Sequence, residues 1–203
     1  MTAALDWISN FLYAAILAGV PLLFGTLGEI LTEKAGNINL GVEGMMYMGA
    51  VFGFMGAYYL DSAIATLLFA FLGGLGGALV YAFLTVTLKA NQNVAGLTLT
   101  IFGTGLANLL GTNMINGSGS GAAMVSDAMK AFFRPMDMGA LTAIPYLGKL
   151  LFNHSLFTYL GIVLAIAAGW YLNHTAEGRN RRGGGEKRAA AEAAGVNGSA
   201  YKY

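Results

Sequence analysis

Long apolar runs constrain this chain more than any other feature. A helix rises about 1.5 Å per residue and the hydrocarbon core of a bilayer is roughly 30 Å thick, so about 20 apolar residues can cross it. The composition agrees, since 56% of the residues are hydrophobic and only 10% are charged. The sequence predicts an all-α polytopic membrane helix bundle with about five transmembrane helices, at residues 8–31, 45–60, 64–88, 94–115 and 156–172.

Basic residues cluster behind the last of these runs. The segment 173–203 holds six of the eleven Lys and Arg residues, and the positive-inside rule therefore predicts that it is cytoplasmic. Alternation across five spans then places Lys34 and Lys89 on the same side and the loop 116–155 on the opposite side. We divide the chain into a transmembrane bundle, 1–172, and a cytoplasmic segment that follows it.

Few residues offer chemistry beyond hydrogen bonding. The chain has no cysteine, which excludes disulfides and thiol catalysis. Its two histidines, His154 and His174, lie on opposite sides of a predicted span and cannot share a metal. Glu29, Glu33 and Lys34 cluster at one helix end without a matching nucleophile, which favours a paired or solvated helix end. The sequence predicts no catalytic residue, metal or cofactor, and no nucleic-acid partner.

A polar, glycine-rich segment, 31–50, separates the first two apolar runs. Polar groups in hydrocarbon cost several kcal/mol unless they are paired or line water, so they indicate a functional site. The alternative is a tight turn between helices. Because the second run is short, part of this segment could complete it, which would bring Asn37, Asn39 and Glu43 into the membrane.

The fourth run carries a polar stripe. Thr100, Thr104, Asn108 and Thr112 recur every four residues and so share one helical face. A stripe that lines a pathway favours a neutral, hydrogen-bonding solute. In the alternative, the threonines bond to carbonyls of their own helix and Asn108 contacts a neighbouring helix. The candidate pathway or gate residues are Asn37, Asn39, Glu43, Asn91, Gln92, Asn93, Thr100, Thr104 and Asn108.

Small residues recur at four-residue spacing in the second to fifth runs. Such spacing lets helix backbones approach closely. In a chain with 30 glycines each match alone is weak. The pairs are Gly49 and Gly53, Gly73 and Gly77, Ala107 and Gly111, and Gly161 to Gly169.

The segment after the last run contains a short predicted helix. Residues 186–194 are rich in alanine with an acidic start, and Gly195 stands where a left-handed C-cap is expected. A helix of this length is marginal in water, so we expect it to dock onto a partner. The alternative is a disordered basic tail held near anionic lipid.

Three motifs resemble one transporter family. Glu33-Lys-Ala-Gly-Asn-Ile-Asn-Leu-Gly-Val-Glu-Gly-Met-Met-Tyr-Met-Gly-Ala50 resembles the signature near the first two spans of ABC-importer permeases, in the superfamily that serves ribose, branched-chain amino acids and nucleosides. The resemblance is nearest to the nucleoside and simple-sugar branch. Asn91-Gln-Asn-Val-Ala-Gly-Leu-Thr98 resembles the entry to a later span, and Gly178 through Gly195 with Tyr201 to Tyr203 resembles the coupling loop.

The resemblance implies a transport subunit that performs no catalysis. Its implied partners are an ATP-binding cassette ATPase, a second permease subunit, identical or homologous, an extracytoplasmic solute-binding protein and membrane lipid. The implied location is the inner or plasma membrane of a prokaryote, and the implied solute is a nucleoside or simple sugar. The residues implied to couple to the ATPase are Arg182, Glu186, Ala190, Ala194 and Gly195.

The chain departs from the family in two places. Arg181-Arg-Gly-Gly-Gly-Glu-Lys187 stands where the family has a pattern like Leu-Arg-Ala-Val-Gly-Glu-Asn, and glycines cost about 1 kcal/mol each in a helix relative to alanine. Family members also continue into further spans, so we expect a truncated permease or fragment. Two other interpretations remain open, a stand-alone channel or ion-coupled carrier and a non-transporting membrane fragment.

Overall fold

Helices dominate the fold. The computed structural model describes the backbone of residues 2–119, 121–136, 138–142, 144–195 and 197–203, and those ranges contain no strand. The α-helices are α1 (Thr2–Lys34), α2 (Val42–Leu60), α3 (Ala63–Ala82), α4 (Gln92–Gly117), α5 (Asp127–Phe132), α6 (Leu147–Phe152), α7 (Leu156–His174), α8 (Ala176–Glu186) and α9 (Arg188–Ala193). A π-helical turn, Phe83–Thr87, continues α3, and 3₁₀ turns cover Gly139–Leu141 and Ala200–Lys202. The predicted all-helical membrane fold is confirmed.

Four helices in the described part of the chain are long and apolar enough to cross a membrane, namely α1, α3 with its π-helical turn, α4 and α7. The sequence predicts five spans, and the one that is not among these four is the predicted span 45–60, which corresponds to α2. That helix has 19 residues but carries Glu43 and several tyrosines, which lower its mean hydropathy. Its neighbours explain the difference, because α2 packs extensively against both α3 and α4. A helix covered by protein on two sides needs fewer apolar residues than one surrounded by lipid.

The α2–α3 contact uses the predicted small residues. A Cβ added at Gly73 would lie 2.9 Å from the Met48 carbonyl oxygen, and one added at Gly53 would lie 2.9 Å from the Ala70 Cβ. The predicted close approach is therefore present between these two helices. By contrast, no atom from another described element lies within 4 Å of the Cβ position at Gly111 or Gly169.

The α2–α4 contact is closer still. A Cβ added at Gly44 would lie 2.4 Å from the Leu99 carbonyl oxygen, and one added at Gly103 would lie 2.3 Å from the Gly44 carbonyl oxygen. Atoms cannot approach so closely without displacing the backbone. Glycine at these two positions therefore allows the helices to touch backbone to backbone.

The chain connections gather at two ends of the bundle. At one, which we call the tail end, Lys202 Nζ donates to the Gly36 carbonyl oxygen. At the other, the far end, Lys149 Nζ donates to Asn10 Oδ1 and the Ser126 hydroxyl to the Asp61 carboxylate. This grouping of ends agrees with the alternation expected from the sequence, while the assignment of the tail end to the cytoplasm stays a prediction.

The tail segment differs from its expected form. Glu186 ends α8 instead of starting the alanine-rich helix, which begins at Arg188. The break lies at Lys187, whose φ of −141° and ψ of 73° leave the helical region. Gly183 and Gly184 remain helical despite their low propensity. The positive φ of Gly195, 84°, agrees with its predicted left-handed conformation.

Candidate functional site

The loop 35–41 between α1 and α2 folds back into the bundle. The Asn39 backbone N–H donates to Glu29 Oε1 at 2.8 Å, and Thr100 Oγ1 donates to the Leu40 carbonyl oxygen at 3.0 Å. Thr100 lies eight residues beyond Gln92 at the start of α4, which is about 12 Å along the helix axis. As a result α2 begins well inside the bundle.

A hydrogen-bonded amide pair, the buried Asn37 and the half-buried Gln92, holds this loop. Gln92 Nε2 donates to Asn37 Oδ1 at 3.0 Å, and Gln92 Oε1 accepts from the Ile38 backbone N–H at 2.9 Å. The Tyr81 hydroxyl donates to the Ile38 carbonyl oxygen at 2.6 Å. Asn37 is 1% exposed. These bonds satisfy loop backbone groups that would otherwise be costly to bury, so Asn37 and Gln92 fix the loop conformation.

The Asn39 side chain also makes hydrogen bonds within this part of the chain. Its Oδ1 accepts from the Gly41 backbone N–H at 2.9 Å, and its Nδ2 lies 3.6 Å from the Met45 sulfur. The side chain is 7% exposed. Asn39 therefore shapes the entry to α2, as asparagine does in turns.

Two of the four residues in the polar stripe of α4, Thr100 and Thr104, donate hydrogen bonds to backbone carbonyls. Thr104 Oγ1 donates to the Thr100 carbonyl oxygen at 2.7 Å, as the alternative interpretation of the stripe expects. Asn91 caps the helix, accepting from the Asn93 and Val94 backbone N–H groups. The side chains of Asn93 and Asn108 are exposed. A pathway role for the stripe stays a prediction.

Glu43 is placed differently from the other candidates. It lies in the first turn of α2 and faces an open groove of about 630 Å³ between α1 and α2. Within the described ranges, no hydrogen-bond or ion-pair partner contacts its carboxylate. We call this cavity the α1–α2 groove, and its lining residues are Leu22, Gly25, Thr26, Val42, Glu43, Met46, Tyr47 and Ala50.

Glu43 is the one predicted pathway residue that lines the α1–α2 groove. The sequence interpretation missed Tyr47 and Thr26, which line it as well. Tyr47 could have been found, because it follows Glu43 by four residues and so shares its helical face. Thr26 gave no comparable signal, since it lies on another helix.

A second cavity, of about 760 Å³, lies towards the far end. Its walls come from α2, α3, α5 and α7, and Lys130 and Arg134 are among its lining residues. Lys130 Nζ lies 3.0 Å from Asp127 Oδ1. The hydrogen bond and the charge of Lys130 hold the pKa of the Asp127 carboxyl below its ordinary value.

The tail packs against the loop 35–41 and its surroundings. Lys202 Nζ reaches the Gly36 carbonyl oxygen at 3.2 Å, and the Tyr203 hydroxyl hydrogen-bonds with Thr87. A Cβ added at Gly185 would lie 2.5 Å from the Lys34 carbonyl oxygen, so α8 touches the end of α1 through backbone. A displacement of α8 therefore reaches the loop directly.

The predicted coupling residues differ in their contacts and exposure. Arg182 Nη1 donates to Asn173 Oδ1 at 3.0 Å, which ties α8 to α7. Glu186, Ala194 and Gly195 are exposed. The side chain of Ala190 lies outside the described part of the chain. Coupling to an ATPase stays a prediction for all five residues.

The described residues contain no group of three or more His, Cys, Asp or Glu side chains placed to hold a metal ion. His154 is 2% exposed and lies at the far end, where its ring stacks on Tyr13. His174 ends α7 at the tail end. The two imidazoles therefore lie at opposite ends of the bundle, as the sequence predicts.

Comparisons with known proteins identify relatives along nearly the whole chain. The family model described as "Branched-chain amino acid transport system / permease component" matches residues 11–203. A putative glucose ABC transporter permease protein of Haloferax volcanii is 32% identical over 82% of this chain and 48% of its own length. The nucleoside ABC transporter permease protein NupC of Lactococcus lactis is 32% identical over 93% of this chain and 59% of its own length.

A third relative, the guanosine ABC transporter permease protein NupQ of Bacillus subtilis, is 29% identical over 97% of this chain and 62% of its own length. The chain thus spans about half to three fifths of the length of these curated relatives. No solved structure matches it.

Proposed function

Because the chain belongs to the family of branched-chain amino acid transport permease components, we propose that it serves as a transmembrane subunit of an ATP-driven importer. The observation that carries the proposal is the extent of the family match, which includes the tail segment as well as the spans. The proposed solute is a small neutral molecule, a nucleoside or a simple sugar, because the named relatives are permeases for glucose, nucleosides and guanosine.

The chain itself does no chemistry in this proposal. ATP hydrolysis takes place in a separate cassette ATPase that docks at the tail end, and an extracytoplasmic protein delivers solute at the far end. A second permease subunit completes the pathway. The tail end faces the cytoplasm of a prokaryotic cell, which the six basic residues of the segment 173–203 favour.

The tail contacts support a direct mechanical route. An ATPase that moves α9 also moves α8, because the two helices pack against each other. The helix α8 touches the Lys34 carbonyl through Gly185, and the loop beyond is bonded to α3 and α4 through Tyr81 and Gln92. Rigid-body movement of packed helices is a common way to transmit such a change.

Co-purification tests the coupling. The full chain is expressed in a membrane with a cassette ATPase from the same cell, and the retained ATPase is measured. We expect the variant Ala194→Arg to lose the ATPase, because a long cation replaces a small exposed residue beside α9. The control is Ala131→Arg, at an alanine of α5 that is also exposed but lies at the far end. Equal retention by both variants contradicts the coupling role, and an unmodified chain that retains no ATPase contradicts the proposed function.

A further inference from the structure

The depth of Glu43 is the first observation. Its neighbour Gly44 touches Leu99 and Thr100 of α4, and Leu99 follows Gln92 by seven residues, about 10 Å along the helix. Glu43 therefore lies about 10 Å along the axis of α4 from the start of that helix, and its exposed side chain faces an open groove. A carboxylate at such a depth is costly unless it is paired or lines a polar cavity.

The groove around Glu43 offers hydrogen bonds from both walls. The Thr26 hydroxyl comes from α1, and Tyr47 on α2 is 45% exposed, presenting both its hydroxyl and its ring. Within the described ranges, neither hydroxyl has a hydrogen-bond partner. Among the residues that the structure describes, no Lys or Arg lines the groove. This donor and acceptor set suits a neutral molecule that supplies hydroxyl donors and has an apolar face.

The volume of the α1–α2 groove is also suitable for binding a small molecule. Its volume of about 630 Å³ lies within the roughly 300–1,000 Å³ typical of small-molecule sites. Apolar side chains such as Leu22 and Met46 form much of the wall, as is usual where a few polar groups orient a ligand.

The groove continues towards the far end along one face of α2. That face carries Glu43, Tyr47, Ala50, Phe54 and Ala57 at spacings of three and four residues. Ala50 lines both the α1–α2 groove and the far-end cavity, and Phe54 and Ala57 line the latter. One helix face thus connects the far end with Glu43.

We propose that the α1–α2 groove binds the solute, and that the Glu43 carboxylate accepts hydrogen bonds from two adjacent hydroxyl groups of it. Tyr47 and Thr26 complete the contacts. The inference rests on the proposed function for the identity of the solute. Adjacent hydroxyls are shared by the ribose of nucleosides and by simple sugars, and hydrogen bonds to an ionised acceptor are the strong ones.

The test measures equilibrium binding to the purified full chain in lipid nanodiscs. The probes are guanosine, glucose and 2′,3′-dideoxyguanosine, which keeps the base and the 5′-hydroxyl but lacks the adjacent 2′ and 3′ hydroxyls. We expect guanosine, glucose or both to bind, and the dideoxy compound to bind at least about tenfold more weakly than guanosine. Whichever of the first two binds identifies the source of the hydroxyl pair.

Variants assign the binding to the carboxylate. Glu43→Gln is expected to weaken binding about tenfold. Glu43→Asp keeps the negative charge in the first turn of α2 and should lose less binding affinity than Glu43→Gln. The control is Glu33→Gln, which removes an exposed carboxylate of α1 outside the groove and leaves binding unchanged. Thr26→Val provides a second, uncharged change in the opposite wall and is expected to weaken binding by a smaller factor.

Several results overturn the inference. They are unchanged binding by Glu43→Gln, no binding of either guanosine or glucose, and, where guanosine binds, equal binding of guanosine and its dideoxy analogue. The co-purification test separates the two proposals. An ATPase retained without solute binding refutes the groove alone, while solute binding that depends on Glu43 without any ATPase refutes the importer alone.

Discussion

Replacing Gly103 by alanine should separate α2 from α4. The new Cβ would lie 2.3 Å from the Gly44 carbonyl oxygen, whereas ordinary contact begins near 3.4 Å. The helices must therefore move apart by about 1 Å at this point, because neither partner is a flexible side chain. The same movement would stretch the Thr100 to Leu40 hydrogen bond, now 3.0 Å, beyond its useful range.

The expected cost follows from these two effects. Overpacking costs about 1–3 kcal/mol, and a lost hydrogen bond adds about 1 kcal/mol. The matched control is Gly105→Ala in the same helix, where nothing of another element lies within 4 Å. Both variants gain the same helix propensity, about 1 kcal/mol, which cancels between them. The Gly103 variant should thus be less stable than the control by about 2–4 kcal/mol.

Reversible unfolding in mixed detergent micelles, followed by circular dichroism, measures this difference. The unmodified chain serves as the reference, and Gly105→Ala should unfold at an equal or slightly higher denaturant concentration. If the two alanine variants unfold at the same midpoint, the close α2–α4 contact does not contribute to stability in the way described, and the reasoning from the added Cβ fails.

Two further changes probe the loop and the tail. Tyr81→Phe removes the hydrogen bond to the Ile38 carbonyl oxygen and should destabilise the chain by about 1 kcal/mol in the same unfolding assay; an unchanged midpoint would show that the bond adds nothing. Gly185→Ala should push α8 away from the Lys34 carbonyl and speed trypsin cleavage within the tail. At Gly183 no atom of the described residues outside the local α8 backbone lies within 4 Å of an added Cβ, so Gly183→Ala should not speed cleavage. Equal cleavage of the two variants contradicts the docking role of Gly185.

Much of the architecture could be predicted because it depends on hydropathy alone. The long helices follow the apolar runs, and the two histidines separate as the spans require. The prediction was less accurate for α2, since its hydropathy reflects its position between two protein neighbours and not the lipid. The sequence could not show those neighbours in advance.

Helix contacts were only partly predictable. Gly49, Gly53 and Gly73 meet a partner helix as expected, but Gly111 does not, and the closest approach between α2 and α4 uses Gly103. Four-residue spacing identifies a face that permits close approach. Which face meets a neighbour depends on how the helices are arranged, and a glycine-rich chain offers many equivalent faces.

The roles of the polar residues around the loop 35–41 were also only partly predictable from the sequence. The sequence predicts Asn37, Asn39 and Gln92 as pathway or gate residues, and in the structure they bond to backbone groups and to one another. The sequence could not distinguish a polar group that faces a solute from one that satisfies a folded-back loop. Glu43 differs because it faces the α1–α2 groove without a partner among the described residues.

The unequal packing of the helices has a mechanical consequence. The helices α2, α3 and α4 share extensive contacts, while α1 meets α2 sparsely and packs more with α7 and the tail. At Gly25 the contact across this boundary is with the flexible side chain of Met46. The boundary between α1 and α2 is therefore the easiest place for two rigid groups of helices to slide. In the proposed transport cycle, spin labels placed across this boundary should report changing distances, whereas labels within the α2–α4 group should keep theirs.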